Sequence, residues 1–204
     1  MAFISSGTTI IDNGAFSVGL GSKVLIKEIT ASSSATLSFV HGTDGVVLDS
    51  TYLIYKFEFI NINPATDNGA FTFNMSTDSG SNYNVTKTTT MFHSFHSEND
   101  SETLFGYLSS YDQAQSTDFA FLAENTGNES DESCSGSITL FNPSSTTYVK
   151  HFISNCNSSS AQSDCRLWFV AGYGNTTSAV NAVQFKISSG NFDGKIKLYG
   201  IKDS

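Results

Sequence analysis

A two-residue alternation of apolar and polar side chains constrains the fold of this chain more than any other feature. Tyr55, Phe57 and Phe59 alternate with Lys56 and Glu58. Phe71, Phe73 and Met75 alternate with Thr72, Asn74 and Ser76. Val183, Phe185 and Ile187 alternate with Gln184, Lys186 and Ser188, and Ile196 and Leu198 with Lys195 and Lys197. Successive side chains of a β-strand point to opposite faces, so each segment reads as a strand with one apolar and one wetter face. Val24–Ile26, Leu37–Val40 and Leu167–Ala171 are apolar on both faces and read as interior strands covered on both sides. No stretch carries a convincing 3.6-residue period; Asp112–Ala123 comes nearest.

Turn chemistry separates these segments. Asp12-Asn13-Gly14, Gly42-Thr43-Asp44-Gly45, Asp67-Asn68-Gly69, Asp78-Ser79-Gly80 and Ser189-Gly190-Asn191 supply residues that tolerate positive φ. Asn142-Pro143 ends a strand, because proline lacks the N–H a ladder needs. About ten to twelve short strands with this turn spacing predict an all-β chain, an antiparallel β-sandwich of jelly-roll type. The 204 residues suit a single domain, 1–204, with 1–12 as a candidate assembly arm. Phe3, Ile4, Ile10 and Ile11 are the apolar residues of that arm; the alternative is an ordinary first strand. The stretch 86–128 is less regular and should hold the longest loops.

Composition excludes several functions. The net charge is -9, from 10 basic and 19 acidic side chains, with one arginine, Arg166. Phosphate backbones are bound by clustered Lys and Arg, so nucleic acid is not an expected partner. No run of about 18 apolar residues is present, so no membrane-inserted helix is expected. The start lacks the basic and continuous apolar segments of a secretory signal. The acidic surplus gathers at Glu98, Asp100 and Glu102 and at Glu124, Glu129, Asp131 and Glu132. Solvated loops are the simple reading of both; a calcium site is the sharper one.

The search for chemistry gives little. The cysteines are Cys134, Cys156 and Cys165, an odd number without a Cys-x-x-Cys. Cys156 and Cys165 flank a polar tip and could face each other across a hairpin, but a cytoplasmic origin argues for free thiols. His93 and His96 form the closest histidine pair, but a spacing of three puts them on opposite faces of a strand. No metal and no cofactor is expected, and no catalytic residue is assigned. Ser133-Cys134-Ser135-Gly136 runs into a strand, where a nucleophile elbow would enter a helix. Asp112, Asp118 and Glu124 are the carboxylates from which a glycosidase pair would be drawn. Tyr107, Tyr111, Asp112 and Tyr173 lie near strand ends or loops and are candidate recognition residues.

Four stretches carry a resemblance to a known class: MAFISSGTTIIDNGAF (1–16), FEFININPATDN (57–68), NPSSTTYVKHF (142–152) and VQFKISSGNFDGKIKLYGI (183–201). The chain resembles small jelly-roll virion structural proteins of tailed bacteriophages. The resemblance implies a non-enzymatic protein displayed on the particle, in a tail fibre or receptor-binding apparatus or as a capsid decoration. It implies assembly in oligomers, with itself and with other virion proteins; a homotrimer is the expected state. A host surface glycan would be the external ligand, and assembly would take place in the host cytoplasm. Two other readings stay open: a free carbohydrate-binding, lectin-like module, and a glycan depolymerase.

Overall fold

The computed structural model describes residues 3–5, 8–12, 15–16 and 22–202. The described residues form fifteen strands and no helix. β1 (Phe3–Ser5), β2 (Thr8–Asp12) and β3 (Ala15–Phe16) pair into a small sheet of their own. The side chains of Phe3, Ile10 and Ile11 lie outside the described part, and Ile4 is exposed.

The remaining twelve strands make two antiparallel sheets packed as a β-sandwich. The smaller contains β5 (Leu37–Val40), β7 (Gly69–Ser76), β10 (Ala120–Thr126) and β14 (Ala182–Ile187), in the order β10-β7-β14-β5. The larger contains β4 (Lys23–Ser34), β6 (Ile54–Pro64), β8 (Lys87–Ser97), β9 (Thr103–Tyr107), β11 (Cys134–Phe141), β12 (Lys150–Ser159), β13 (Asp164–Gly174) and β15 (Phe192–Ile201). Its order is β4-β15-β6-β11-β12-β13-β8-β9.

The period-two phenylalanines meet between the sheets. Phe185 lies 5.2 Å from the rings of both Phe57 and Phe59 and 5.8 Å from Phe71. Phe39 and Phe73 complete the nest at 6.2 and 6.4 Å. Each buried ring removes apolar area worth about 1.5–3 kcal/mol from water. The turns form where Asn, Asp and Gly were placed: Asp44, Asn68, Ser79 and Gly190 all have positive φ.

Four sequence expectations change. Val24–Ile26 and Leu37–Val40 fall in β4 and β5, which are edge strands, and Leu25 is 52% exposed. Runs of three or four apolar residues do not distinguish a doubly covered strand from an edge. The 167–171 run is interior to its sheet, in β13, yet Leu167 is exposed on the outer face. Residues 112–119 form a loop where a helix came nearest. Thr89 Oγ1 accepts from the Gln113 N–H, and Ser116 exchanges backbone hydrogen bonds with Lys87. These side-chain and bridge contacts replace a helical ladder. The wetter face of β7 is also buried: Thr72, Asn74 and Ser76 are enclosed beneath residues 77–86 and 112–119.

The cysteines are free, and Cys156 and Cys165 do not face each other. The β12–β13 register sets Cys156 opposite Trp168 and Cys165 opposite Ser159. An odd offset along β12 and β13 sends one thiol into the core and the other to the surface. Burial pushes the Cys156 thiol up to about 12.

Candidate interaction surface

The large sheet extends beyond the small one. Strands β12, β13, β8 and β9 lie on one side of β11, and their outer face carries aromatic and aliphatic side chains. In one row across the strands, Phe169 pairs with Phe92, and Phe92 with Tyr107. The Phe92 and Phe169 rings stack at 4.9 Å, and Phe105 lies 5.5 Å from Phe92. Phe105 is 76% exposed, and Tyr107, Ile153 and Leu167 are exposed too. Further along, Tyr173, His151, Ile153 and Phe141 line an apolar groove of about 480 Å³.

Two of the sequence-proposed residues come together here. The Tyr107 hydroxyl donates to the Asp112 carboxylate, tying edge strand β9 to the loop beneath it. Tyr173 lies elsewhere on the same face, 6.1 Å from His151. Tyr111 turns toward the core, where its ring meets Phe121 at 5.0 Å. Burial raises the carboxyl of the neighbouring Glu124 above the usual range.

The inner face of this half holds a polar row. Arg166 donates from Nε and Nη2 to the two carboxylate oxygens of Asp164, both at 2.7 Å. Its guanidinium lies over the Phe95 ring at 4.9 Å. Burial works to raise the Asp164 pKa, but hydrogen bonds from Arg166 and Ser160 hold it below the ordinary value. His93 is buried and stacks on Trp168 at 5.2 Å. Burial, then the Arg166 charge, lowers its pKa, which favours a neutral ring. His96, three residues on, points to the other face and meets Asp100 at 3.0 Å, as strand parity requires.

Catalytic candidates are dispersed. Asp112 engages Tyr107, Asp118 accepts from Ser116, and Glu124 engages Tyr111. Among the described residues no three His, Cys, Asp or Glu side chains converge as metal ligands would. Glu98 and Glu102 line a polar groove at the β8–β9 tip, beside Gln162.

The outer aromatic face was not assigned from the sequence. The two-sided apolarity of Leu167–Ala171 fits double coverage and an apolar outer face equally well. Phe92 and Phe105 fall in the irregular stretch 86–128, where no alternation is long enough to give a phase. In comparisons with known proteins, no family model, no curated protein and no solved structure matches this chain.

Proposed function

We propose that this chain is a non-enzymatic structural protein of a bacteriophage virion, displayed on the particle surface and assembling with itself through the outer aromatic face. The observation that carries the assembly reading is the row Phe169, Phe92, Tyr107 with Phe105 beside it; Phe169 and Phe92 are half-buried, and Tyr107 and Phe105 stand exposed on the edge strand. An edge strand with exposed apolar side chains is a template for pairing unless something covers it. The occupant is a second copy. Glu98, Asp100 and Glu102 surround the tip of the β8–β9 hairpin. The opposite end of the sheet carries Lys23, Lys56, Lys195 and Lys197 against Glu28 and Glu58. Acidic end to lysine-bearing end is a head-to-tail contact; such a contact closes into a ring when the rotation between copies divides a full turn and otherwise runs on as a filament, and a trimer is the smallest ring beyond a dimer.

The strand order supports a jelly-roll ancestry. β4-β15-β6-β11 facing β10-β7-β14-β5 is the pairing of two interlocked Greek keys. The hairpins β8–β9 and β12–β13 then read as insertions that widen one sheet. The virion reading itself rests on the resemblance of 57–68 and 183–201, which fall on β6, β14 and β15. It places the chain in a tail fibre, receptor-binding apparatus or capsid decoration, without cofactor or nucleic acid.

Sedimentation equilibrium of the full chain at micromolar concentration tests the assembly. A trimer is expected; a monomer across that range overturns it. A second reading has its own observation. Tyr83, Phe119 and Phe121, with Asp118 and Lys186, line a groove of about 410 Å³ on the small sheet. Aromatic faces with a carboxylate and an ammonium suit a saccharide. Glycan-array binding by a monomer would favour that lectin-like reading.

A further inference from the structure

Lys87 opens β8 with none of its surface exposed, and Asn74 in the middle of β7 is equally enclosed. Lys87 Nζ lies 2.7 Å from Asn74 Oδ1 and donates also to the Val85 carbonyl at 2.8 Å. No carboxylate among the described residues forms an ion pair with Lys87; Asp118 acts on it only at longer range. A buried ammonium without a counter-ion is costly, and the chain relieves this by favouring the neutral amine. Burial brings the Lys87 pKa down to about 7. The uncharged, nucleophilic amine is thus accessible at neutral pH.

The amide opposite it is held as an acyl donor is held. Asn74 Oδ1 accepts the backbone N–H of Met75 at 2.8 Å in addition to the lysine. That N–H would stabilise an oxyanion developing on the same oxygen. Asn74 Nδ2 donates to the Tyr83 and Thr117 carbonyls at 2.6 and 2.9 Å. Both acceptors stabilise this nitrogen as it gains a proton. Nζ needs to shift only from Oδ1 to the carbon bonded to it, a bond of about 1.2 Å. Such enforced proximity supplies much of what a bimolecular amide exchange lacks, and the site excludes the water that would compete.

We propose that Lys87 and Asn74 join in an intramolecular isopeptide bond linking β7 of the small sheet to β8 of the large one. The neutral amine attacks Asn74 Cγ; the Nζ–Cγ bond forms and the Cγ–Nδ2 bond breaks. One proton of the attacking amine passes to Nδ2, which leaves as ammonia. No oxidant, metal or co-reactant enters the balance. The product is a neutral secondary amide, so the desolvated charge disappears. The link fastens the β8–β9 insertion covalently to the sandwich, and it is independent of how the protein assembles.

Intact-mass spectrometry of the full chain tests this directly. The expected mass is below that of the sequence by one ammonia, about 17 Da. Lys87→Arg and Asn74→Ala are each expected to return the mass to that of their sequence. Trypsin supplies a readout that needs no variant. The linked protein resists cleavage after Lys87 and yields the single peptide 57–150, closed into a loop between residues 74 and 87 and lighter by one ammonia, where the unlinked protein yields 57–87 and 88–150. A full sequence mass that persists after incubation at pH 8 overturns the proposal, as does normal cleavage after Lys87.

Discussion

The two halves of the large sheet have the same ladder and opposite surfaces. In the half β4-β15-β6-β11, the outer face carries Lys–Glu pairs: Lys195 and Lys197 on Glu28, and Lys23 and Lys56 on Glu58. In the half β12-β13-β8-β9, the outer face carries Phe169, Phe92, Phe105 and Leu167. The inner faces differ as well. The first half meets the phenylalanine nest of the small sheet. The second meets the edge of that sheet and loop residues such as Tyr111, and it includes an ion pair and a histidine. Backbone pairing thus fixes strand order alike in both halves, while side chains decide that one half presents charge on its outer face and the other presents apolar rings.

The largest effect should come from the nest. Phe185→Ala removes a ring that touches five others, and core Phe→Ala changes cost about 3–5 kcal/mol. Phe92→Ala, on the outer face of the other half, should cost about 1 kcal/mol, the worth of an aromatic pair. Urea unfolding of the two variants measures the difference. Equal losses would break the comparison, because the outer aromatics would then be core.

Next is the ion pair inside the second half. Arg166→Met leaves the Asp164 carboxylate buried without its partner, at a cost of about 3 kcal/mol at neutral pH. The Asp164 pKa is lowered in the folded protein. Its contribution is therefore present above the unfolded pKa and is lost as pH falls through the folded one. Wild-type stability should fall over that acid window, and the variant should lose this part of the slope. Urea midpoints at pH 7 and pH 3 test both parts.

How much of this contrast the sequence disclosed follows from where the alternation is long. Tyr55–Phe59, Phe71–Met75 and Val183–Ile187 each carry a clear phase, and the apolar face of each packs between the sheets as expected. The second half is spelled differently. Phe92 and Phe169 face outward while Met91, Val170 and Trp168 face inward, so both parities are apolar and no phase distinguishes buried from exposed. Pairing reveals what composition hides: only the register of β8 with β13 brings Phe92 to Phe169. The Lys87–Asn74 contact was out of reach for a related reason. Both residues sit at polar positions of their strands, and burial comes from loops 77–86 and 112–119, which carry no periodic signal. Tyr107 and Asp112 were named as recognition residues, but their mutual hydrogen bond depends on how the loop returns under β9.

The assembly contrast comes third. Phe105→Asp puts a charge on the most exposed ring of the second half and should weaken self-association at least 30-fold, about 2 kcal/mol. Leu25→Asp, beside Lys23 on the lysine-bearing end that the acidic tip meets, should weaken assembly less, by about tenfold or less. Sedimentation across a concentration series reads both. The unfolding free energy of monomeric Phe105→Asp should stay within about 0.5 kcal/mol of wild type. Dissociation by the Leu25 change alone would transfer the interface to the charged half.

The smallest effect belongs to the Lys–Glu face. Lys23 lies over the Tyr199 ring at 3.9 Å and bonds Glu58 at 2.5 Å, while Lys56 approaches the same carboxylate at 3.5 Å. The hydrogen bond from Lys23 is the main cause of the lowered Glu58 pKa. Both partners remain partly in water, so screening reduces the pair to about 0.2–1 kcal/mol. Lys23→Ala should cost no more than that, because Lys56 still neutralises Glu58. The cost should shrink in molar salt. It should also vanish in acid, since a lowered carboxyl pKa stabilises the fold above the unfolded value and ceases to do so once the folded carboxylate is protonated. A loss of several kcal/mol that survives both salt and acid would mean that the Lys23 stem on Tyr199 is packing rather than pairing. The charged half would then resemble the aromatic one more closely than its side chains indicate.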